Sequence, residues 1–169
     1  MAIEQAAYTI LLKEGSFEIR QTEAMIIAIT DESRLDGSRG FSEIFNYISG
    51  YNQSSKKIAM TTPVINELQE KSMTTAFVMP KQYAMGDLPL PKSSSLKLKE
   101  VPSKLMAVLT FSGSINSNKL QDKQAALLNW LKEKNLVPLG NLQLARYNPP
   151  FIPGFLKRNE VSIEIQKLP

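Results

Sequence analysis

The side chains of this sequence that could do chemistry are carboxylates, amines, guanidinium groups and phenols, because its 169 residues include no Cys and no His. A Ser-His-Asp or Cys-His triad, a Cys-based or His-based metal site and a His-ligated haem are therefore excluded. The closest carboxylate groupings, Asp31-Glu32 and Glu67 with Glu70, lie in polar, loop-like stretches without the pattern of a calcium loop. We expect these carboxylates to be solvated, neither catalytic residues nor metal ligands. An enzyme would have to use carboxylate, Lys or Tyr chemistry, or a Mg²⁺ or Ca²⁺ site built from oxygen ligands.

The charges of the chain are unevenly distributed. The net charge is +4, but residues 1–80 carry −3 and residues 81–169 carry +7. A basic half attracts anions in general, including a carboxylated ligand. The Lys residues are scattered, with Lys56-Lys57 as the one adjacent pair, and no aromatic-rich basic motif is present, so we expect no nucleic-acid partner.

The apolar runs are short. The longest uninterrupted run, residues 24–29, has six residues, whereas a helix that crosses a bilayer needs roughly 20. Residues 1–5 show no basic segment followed by an apolar one, which favours a cytoplasmic protein. The length predicts one domain, residues 1–169, and we expect a monomer or a weakly associating chain.

Period-two and helical spacings of apolar residues predict the elements that must position any site. Phe41, Ile44, Phe45 and Ile48 have the spacing of one helix face, with Gly50 as the stop. In chain order we predict strands at 8–14, 17–22 and 25–29, a helix at 41–48, strands at 57–64, 74–79, 96–101 and 105–111, a helix capped by Asn118, and strands at 142–147 and 161–165.

The second half of the chain repeats the order of the first. Ile19, Ile26 and Ala28 match Leu98, Leu105 and Ala107 at a constant offset of 79. The helices match at an offset of 83 and the segments 58–63 and 144–149 at an offset of 86, as small loop insertions would produce. The sequence therefore predicts two tandem β-β-α-β-β halves, residues 17–79 and 96–165, with a ligand cleft between them.

Strand alternation predicts which side chains face that cleft. Small residues at matching positions, Ala59 and Ala145, are expected beneath the two helices. Met60 and Arg146 then face the cleft, together with Ile58 and Leu144, which share their respective faces. Tyr147 is not expected to be an Arg-assisted haem ligand, because adjacent strand residues point to opposite faces.

Several motifs of the chain resemble those of the SOUL haem-binding protein family, in the same order along the sequence. They are Gly40-Phe41-x-x-Ile44-x-x-Tyr47-Ile48-x-Gly50-x-Asn52, Lys57-Ile58-x-Met60-Thr61-x-Pro63-Val64, Phe77-Val78-Met79-Pro80-x-x-Tyr83, Leu88-Pro89-x-Pro91, Ala145-Arg146-Tyr147-Asn148-Pro149-Pro150 and Arg158-Asn159-Glu160-Val161. The resemblance implies an α+β fold, a distorted antiparallel β-barrel flanked by two helices, similar to bacterial effector-binding domains.

The resemblance also implies non-catalytic binding of haem or another tetrapyrrole. A histidine proposed as iron ligand in one branch of the family has no counterpart here, since the sequence has no His. The mode left open is an apolar surface near the first helix, aided by basic side chains. We predict seven ligand-contacting residues: Phe41, Phe45, Ile58, Met60, Leu144, Arg146 and Arg158.

Two other functions are compatible with the same sequence. One is an effector-type domain for a different small hydrophobic ligand. The other is a protein-interaction module that uses the exposed face of the first helix and has no haem role.

Overall fold

A computed structural model describes residues 3–149 and 151–167 of the chain. In these residues the two helices are α1 (Ser38–Ile48) and α2 (Ser117–Glu133). The strands are β1 (Glu4–Gln5), β2 (Tyr8–Glu14), β3 (Phe17–Thr22), β4 (Met25–Glu32), β5 (Thr61–Thr62), β6 (Val64–Leu68), β7 (Met73–Val78), β8 (Lys97–Val101), β9 (Leu105–Ser112), β10 (Pro138–Arg146) and β11 (Arg158–Ile165). The predicted α+β class is confirmed.

Nine of these strands form one antiparallel sheet, in the order β2-β3-β9-β11-β10-β6-β7-β4-β8. The end strands β2 and β8 are not paired with each other, so the sheet is open and differs in this respect from the expected barrel. The short strands β1 and β5 pair in parallel and bring the N-terminal residues alongside Thr61 and Thr62.

Both helices pack on the same face of this sheet. Ile19, Ala107, Leu144 and Val161 belong to the apolar core beneath α2. Ala28 and Phe77 belong to the core beneath α1. Since strand side chains alternate between faces, the neighbours of these residues point to the other face, which carries no helix.

The strand order has an internal symmetry. When β3, β4, β6 and β7 are exchanged with β8, β9, β10 and β11, the order of the eight strands reads the same in reverse. The register follows it: Ile19 pairs with Ala107, and Leu98 pairs with Ala28, which are the positions related by the offset of 79. We propose that this pattern reflects duplication of a β-β-α-β-β unit.

The structure corrects three details of the predicted elements. Residues 56–60 form no strand, and the strand predicted at 57–64 is replaced by β5 and the start of β6. The partner of β10 at the centre of the sheet is therefore β6, so the match at an offset of 86 does not describe equivalent strands. The cap of α2 is Asn116, whose side chain accepts the Lys119 N–H at 2.9 Å, rather than Asn118.

The predicted orientation of the strand after each helix is wrong. Ala145 lines the face without helices, whereas Leu144 is fully buried beneath α2. Ala59 is exposed, and its neighbours Ile58 and Met60 pack toward α1. Near its end β10 is buried on both faces, at Leu144 and Ala145. Alternation therefore separates its residues into two sets without indicating which set the helix covers.

A matched pair of substitutions tests this orientation. Ala107→Leu, at a fully buried position beneath α2, should lower the free energy of unfolding by about 1–3 kcal/mol, because overpacking displaces the helix. Ala145→Leu should cost less, because its side chain enters a groove of about 130 Å³. Denaturation midpoints measure both effects, and an equal loss for the two variants would contradict the assigned faces.

Candidate functional site

The face of the sheet without helices carries a group of buried charges. β3 and β11 place apolar residues toward α2, so their alternate residues Glu18, Arg20 and Glu160 project to this face. Glu160 is 2% exposed and Arg20 is 4% exposed. Burying a charge is costly unless it is paired, so the contacts of Glu160 decide what this face can do.

Both oxygens of Glu160 are occupied. The guanidinium of Arg20 donates two hydrogen bonds to them, at 2.8 and 2.7 Å. Arg158 donates a third at 2.9 Å, the Tyr147 hydroxyl a fourth at 2.9 Å and the Thr110 hydroxyl a fifth at 3.2 Å. Glu160 thus accepts five hydrogen bonds and lies at the centre of a buried network.

Two phenol rings and a second carboxylate complete the network. The Arg20 guanidinium carbon lies 4.0 Å from the centroid of the Tyr8 ring, and that of Arg158 lies 4.0 Å from the Tyr147 ring. Arg20 Nε donates to Glu18 at 2.6 Å. Each arginine therefore has both a carboxylate and an aromatic partner.

This network is unsuited to acid–base chemistry near neutral pH. Burial by itself would raise the pKa of Glu160, but its hydrogen bonds and ion pairs with Arg20 and Arg158 hold that pKa below the ordinary value. Burial raises the pKa of Tyr147, and the charge of Glu160 raises it further. A general base needs a pKa near the working pH and a free oxygen, and Glu160 has neither.

The structure has two cavities near this face, of which the inner one is lined by residues of the network. An inner groove of about 130 Å³ lies over the centre of the helix-free face, between Ile27, Ala76, Ala145 and Glu160. An outer cavity of about 540 Å³ is lined by Met25, Ile26, Met79, Tyr83 and Pro102, among other residues. Both cavities are bordered by Ala6 and Ala7, so the N-terminal segment lies between them.

Only the outer cavity has the size of a ligand pocket, which is roughly 300–1,000 Å³. Its polar lining residues are Glu4, Gln5, Glu23, Lys81 and Glu100. Lys81 is paired with Glu23 at 2.9 Å and donates its backbone N–H to Glu4. The rim therefore carries more carboxylates than cations, which disfavours an anionic ligand.

The flank of α1 is a second candidate site. Phe41 and Phe45 stack with their ring centroids 5.7 Å apart, and Phe41 also contacts Phe77 at 5.1 Å. Ile58 is buried in the same cluster, and Met60 packs against it while half-buried. The structure therefore brings four of the seven predicted residues together, and we refer to Phe41, Phe45, Ile58 and Met60 as the α1 flank.

The position of α1 depends on a close approach to the sheet. A Cβ on Gly40 would lie 2.6 Å from the Thr75 Cβ, so only glycine permits this packing. Glu32 links the helix to the sheet at this contact, since its carboxylate accepts hydrogen bonds from the Gly40 N–H at 2.8 Å and from the Thr75 hydroxyl at 2.7 Å. Ile58 N–H donates to Ile48 O at 2.8 Å and attaches residues 56–60 to the end of the helix.

Phe45 leaves part of its ring open to solvent. It is 46% exposed, and its neighbours on the helix surface are Ser38, Ser42 and Ser49, at spacings of seven, three and four residues. Small side chains around an exposed aromatic ring leave the ring accessible, so that a planar ligand can stack on it.

Arg146 lies on the helix side of β10, contrary to the predicted cleft orientation. Its guanidinium donates to the backbone carbonyls of Leu35, at 2.6 Å, and of Asp36, in the loop before α1. Its Nε is buried without a hydrogen-bond partner within the described residues. Arg146 pairs in register with Val64, which packs against the α1 cluster.

The other two predicted residues lie elsewhere. Leu144 is fully buried beneath α2, where a ligand cannot reach it without displacing the helix. Arg158 belongs to the Glu160 network on the opposite face. The structure therefore does not bring the seven residues together at one place, and their role as ligand contacts stays a prediction.

Sequence reasoning missed Arg20, Glu160 and Tyr8. The available signal was the alternation of charges with apolar residues in β3 and β11, for example Glu18 and Arg20 around Ile19. That pattern is normally read as a strand with one face in solvent. Only the pairing of β3 and β11 with β9 brings the charges together.

In the part of the chain that the structure describes, no three His, Cys, Asp or Glu residues form a group that could hold a metal ion. Within the same residues, neither helix is long and apolar enough to cross a bilayer.

Comparison with known proteins places these features in context. Residues 3–164 match the sequence model of the family described as SOUL heme-binding protein. Heme-binding protein 2 of Mus musculus is 28% identical over 165 residues, covering 90% of this chain and 79% of that protein.

Solved structures give the fold. The C-terminal domain of EcmrR aligns with a TM-score of 0.68 at 10% identity, covering 95% of this chain and 99% of that chain. A protein described as a hydrolase from Listeria innocua aligns with a TM-score of 0.64 at 7% identity, covering 92% and 94%. These likenesses are consistent with the fold of an effector-binding domain.

The buried network makes a specific prediction for stability. Glu160→Gln keeps the shape but removes the carboxylate that Arg20 and Arg158 share, so that Arg20 retains only Glu18 as a counter-charge. It should lower the free energy of unfolding by about 3–5 kcal/mol. Glu23→Gln, which breaks an exposed ion pair with Lys81, is the control and should change little.

The pH dependence follows from the lowered pKa of Glu160. The unfolded chain binds the proton first as pH falls, so the contribution of Glu160 is present above the ordinary Glu pKa of roughly 4.3 and is lost below it. Urea titrations across this pH range should show that the free energy of unfolding falls less with acid in Glu160→Gln than in the wild type. A variant as stable as the wild type would show that the pair is not essential.

Proposed function

The chain belongs to the SOUL heme-binding protein family, and we propose that it binds a haem-like tetrapyrrole, or a similar apolar anionic molecule, without catalysing a reaction. The observation that carries this proposal is the α1 flank, where the stacked Phe41 and Phe45 present a half-exposed ring. Both carboxylate oxygens of Glu160 already accept hydrogen bonds from arginines, which supports a binding role over a catalytic one.

The residues present fit the ring of a tetrapyrrole better than its iron. The chain has no His or Cys, and the only residue of the α1 flank with a soft donor atom is Met60, which is half-buried in the apolar cluster. Thioether sulfur is a weak donor compared with imidazole or thiolate. Apolar contact with the ring therefore supplies most of the binding free energy, and the iron contributes little.

The surrounding charges favour the α1 flank over the outer cavity for an anionic ring. Lys57 is exposed in the segment attached to α1, immediately before Ile58 of the flank. Arg146 hydrogen-bonds to backbone carbonyls, which leaves its charge without a bound carboxylate. The rim of the outer cavity instead carries Glu4, Glu23 and Glu100, which would repel propionate groups.

A different function is favoured by the outer cavity itself. Its volume of about 540 Å³ and apolar lining suit a small hydrophobic molecule. Its acidic rim selects an uncharged or cationic one. An effector-type domain for such a ligand is the second candidate, and Ala24→Trp, which places an indole at the cavity wall, separates it from the first.

Hemin and metal-free protoporphyrin should bind with similar, micromolar or weaker affinity, and hemin should give no spectrum of two strong nitrogen ligands. Phe45→Ser should weaken the binding of both porphyrins because it removes the stacking surface. Ala24→Trp should leave both affinities unchanged. Absorbance and fluorescence titrations measure these affinities. Nanomolar hemin binding that is lost without iron, or loss only in Ala24→Trp, would refute the α1 flank as the site.

Arg146 is predicted to recognise a carboxylate of the ligand. A partly exposed pair of this kind is worth ~1 kcal/mol, so Arg146→Ala should weaken an anionic porphyrin about fivefold to tenfold. The dimethyl ester of the same ring should bind almost unchanged. Equal loss for both ligands would mean that Arg146 only supports the loop at Leu35 and Asp36.

A further inference from the structure

The connection between β10 and β11 exposes large apolar side chains at the surface. Phe151 is 82% exposed, Phe155 is 77% exposed and Leu156 is 61% exposed. We call residues 151–157 the β10–β11 loop. Three such side chains within six residues of one surface loop form a projecting apolar patch, which is unusual for a protein surface that remains in water.

The backbone of this loop is held in place from within. Leu156 N–H donates to Pro153 O at 2.9 Å, and Lys157 N–H donates to Gly154 O at 3.0 Å. Gly154 O also accepts the Gly113 N–H at 2.8 Å, which fixes the loop to the end of β9. A Cβ on Gly154 would lie 3.0 Å from Ser114 Oγ, so the loop approaches this turn closely. Its aromatic side chains are therefore presented outward by an ordered backbone.

Lysines surround the base of the loop. Lys119 Nζ donates to Ser112 O at 2.6 Å, next to the glycine that binds the loop. Lys119 and Lys123 lie 5.7 and 5.5 Å from the centroid of the Phe111 ring, at the end of the same strand. Lys157 belongs to the loop itself, which contains no Asp or Glu, and Asp122 is the one acid in the adjoining turn of α2.

From this combination we propose that the β10–β11 loop docks the protein onto an anionic lipid surface. The projecting shape suits insertion between lipid headgroups, where Phe side chains bury their rings. The three lysines would then meet the negative surface of the bilayer, and each basic residue near such a surface adds about a factor of five to binding. Arg158 takes no part, because its guanidinium already binds Glu160.

The test is co-sedimentation of the full chain with vesicles of phosphatidylcholine, with and without phosphatidylserine. The wild type should bind the phosphatidylserine vesicles and release as salt is raised. Phe151→Ser/Phe155→Ser should reduce binding at least tenfold, and Lys119→Gln/Lys123→Gln should reduce it by a similar factor. Leu90→Ser is the matched control, since Leu90 is 69% exposed in the loop next to α1, and it should bind like the wild type.

A fluorescence measurement tests insertion of the loop independently, in case a Ser or Gln variant does not fold. Phe155→Trp should show a blue shift of its emission on phosphatidylserine vesicles, against the background of the buried Trp130. Absence of vesicle binding by the wild type would overturn the proposal. So would binding that the double Ser variant retains, or a wild-type dimer in solution that Phe151→Ser/Phe155→Ser converts to monomer without any effect of vesicles.

Discussion

The buried carboxylate of Glu160 is the constraint on which the arrangement of this protein depends. A charge that is 2% exposed has to be neutralised in place, and Arg20 reaches it from a strand 140 residues away in sequence. The ion pair therefore requires β3 to lie beside β9 and β9 beside β11. It also occupies the centre of the helix-free face, which leaves an inner groove of only about 130 Å³. A ligand of tetrapyrrole size is thus directed to the α1 flank or the outer cavity.

Local patterns of the sequence were sufficient to predict most elements, and insufficient to predict which residues they bring together. β2 and β3 match their predicted bounds, because a Gly15-Ser16 turn separates two alternating strands. The offset of 79 also reappears in the register of Ile19 with Ala107. The orientation of Ala145 and Arg146 could not be obtained in this way, since distant parts of the chain bury both faces of β10 near its end. The network of Arg20 with Glu160 depends on the same long-range pairing.

Membership of a haem-binding family has a particular meaning for a chain without histidine. The protein has neither an imidazole nor a thiolate to bind the iron, so we expect selectivity to come mainly from the shape and charge of the ligand. The α1 flank offers an aromatic surface beside basic side chains, and the outer cavity offers an apolar volume behind carboxylates. These two environments favour ligands of opposite charge. Locating the binding site would therefore also identify the class of ligand.

That question is answered most directly by amide chemical-shift mapping of the labelled protein titrated with metal-free protoporphyrin. The α1 flank predicts the largest shift changes at residues 41–49 and 57–60 and at the loop around Leu35, with little change near Ala24 and Glu100. Shift changes concentrated at residues 23–26, 79–83 and 100–102, or confined to neither region, would contradict the assignment of tetrapyrrole binding to the flank of the first helix.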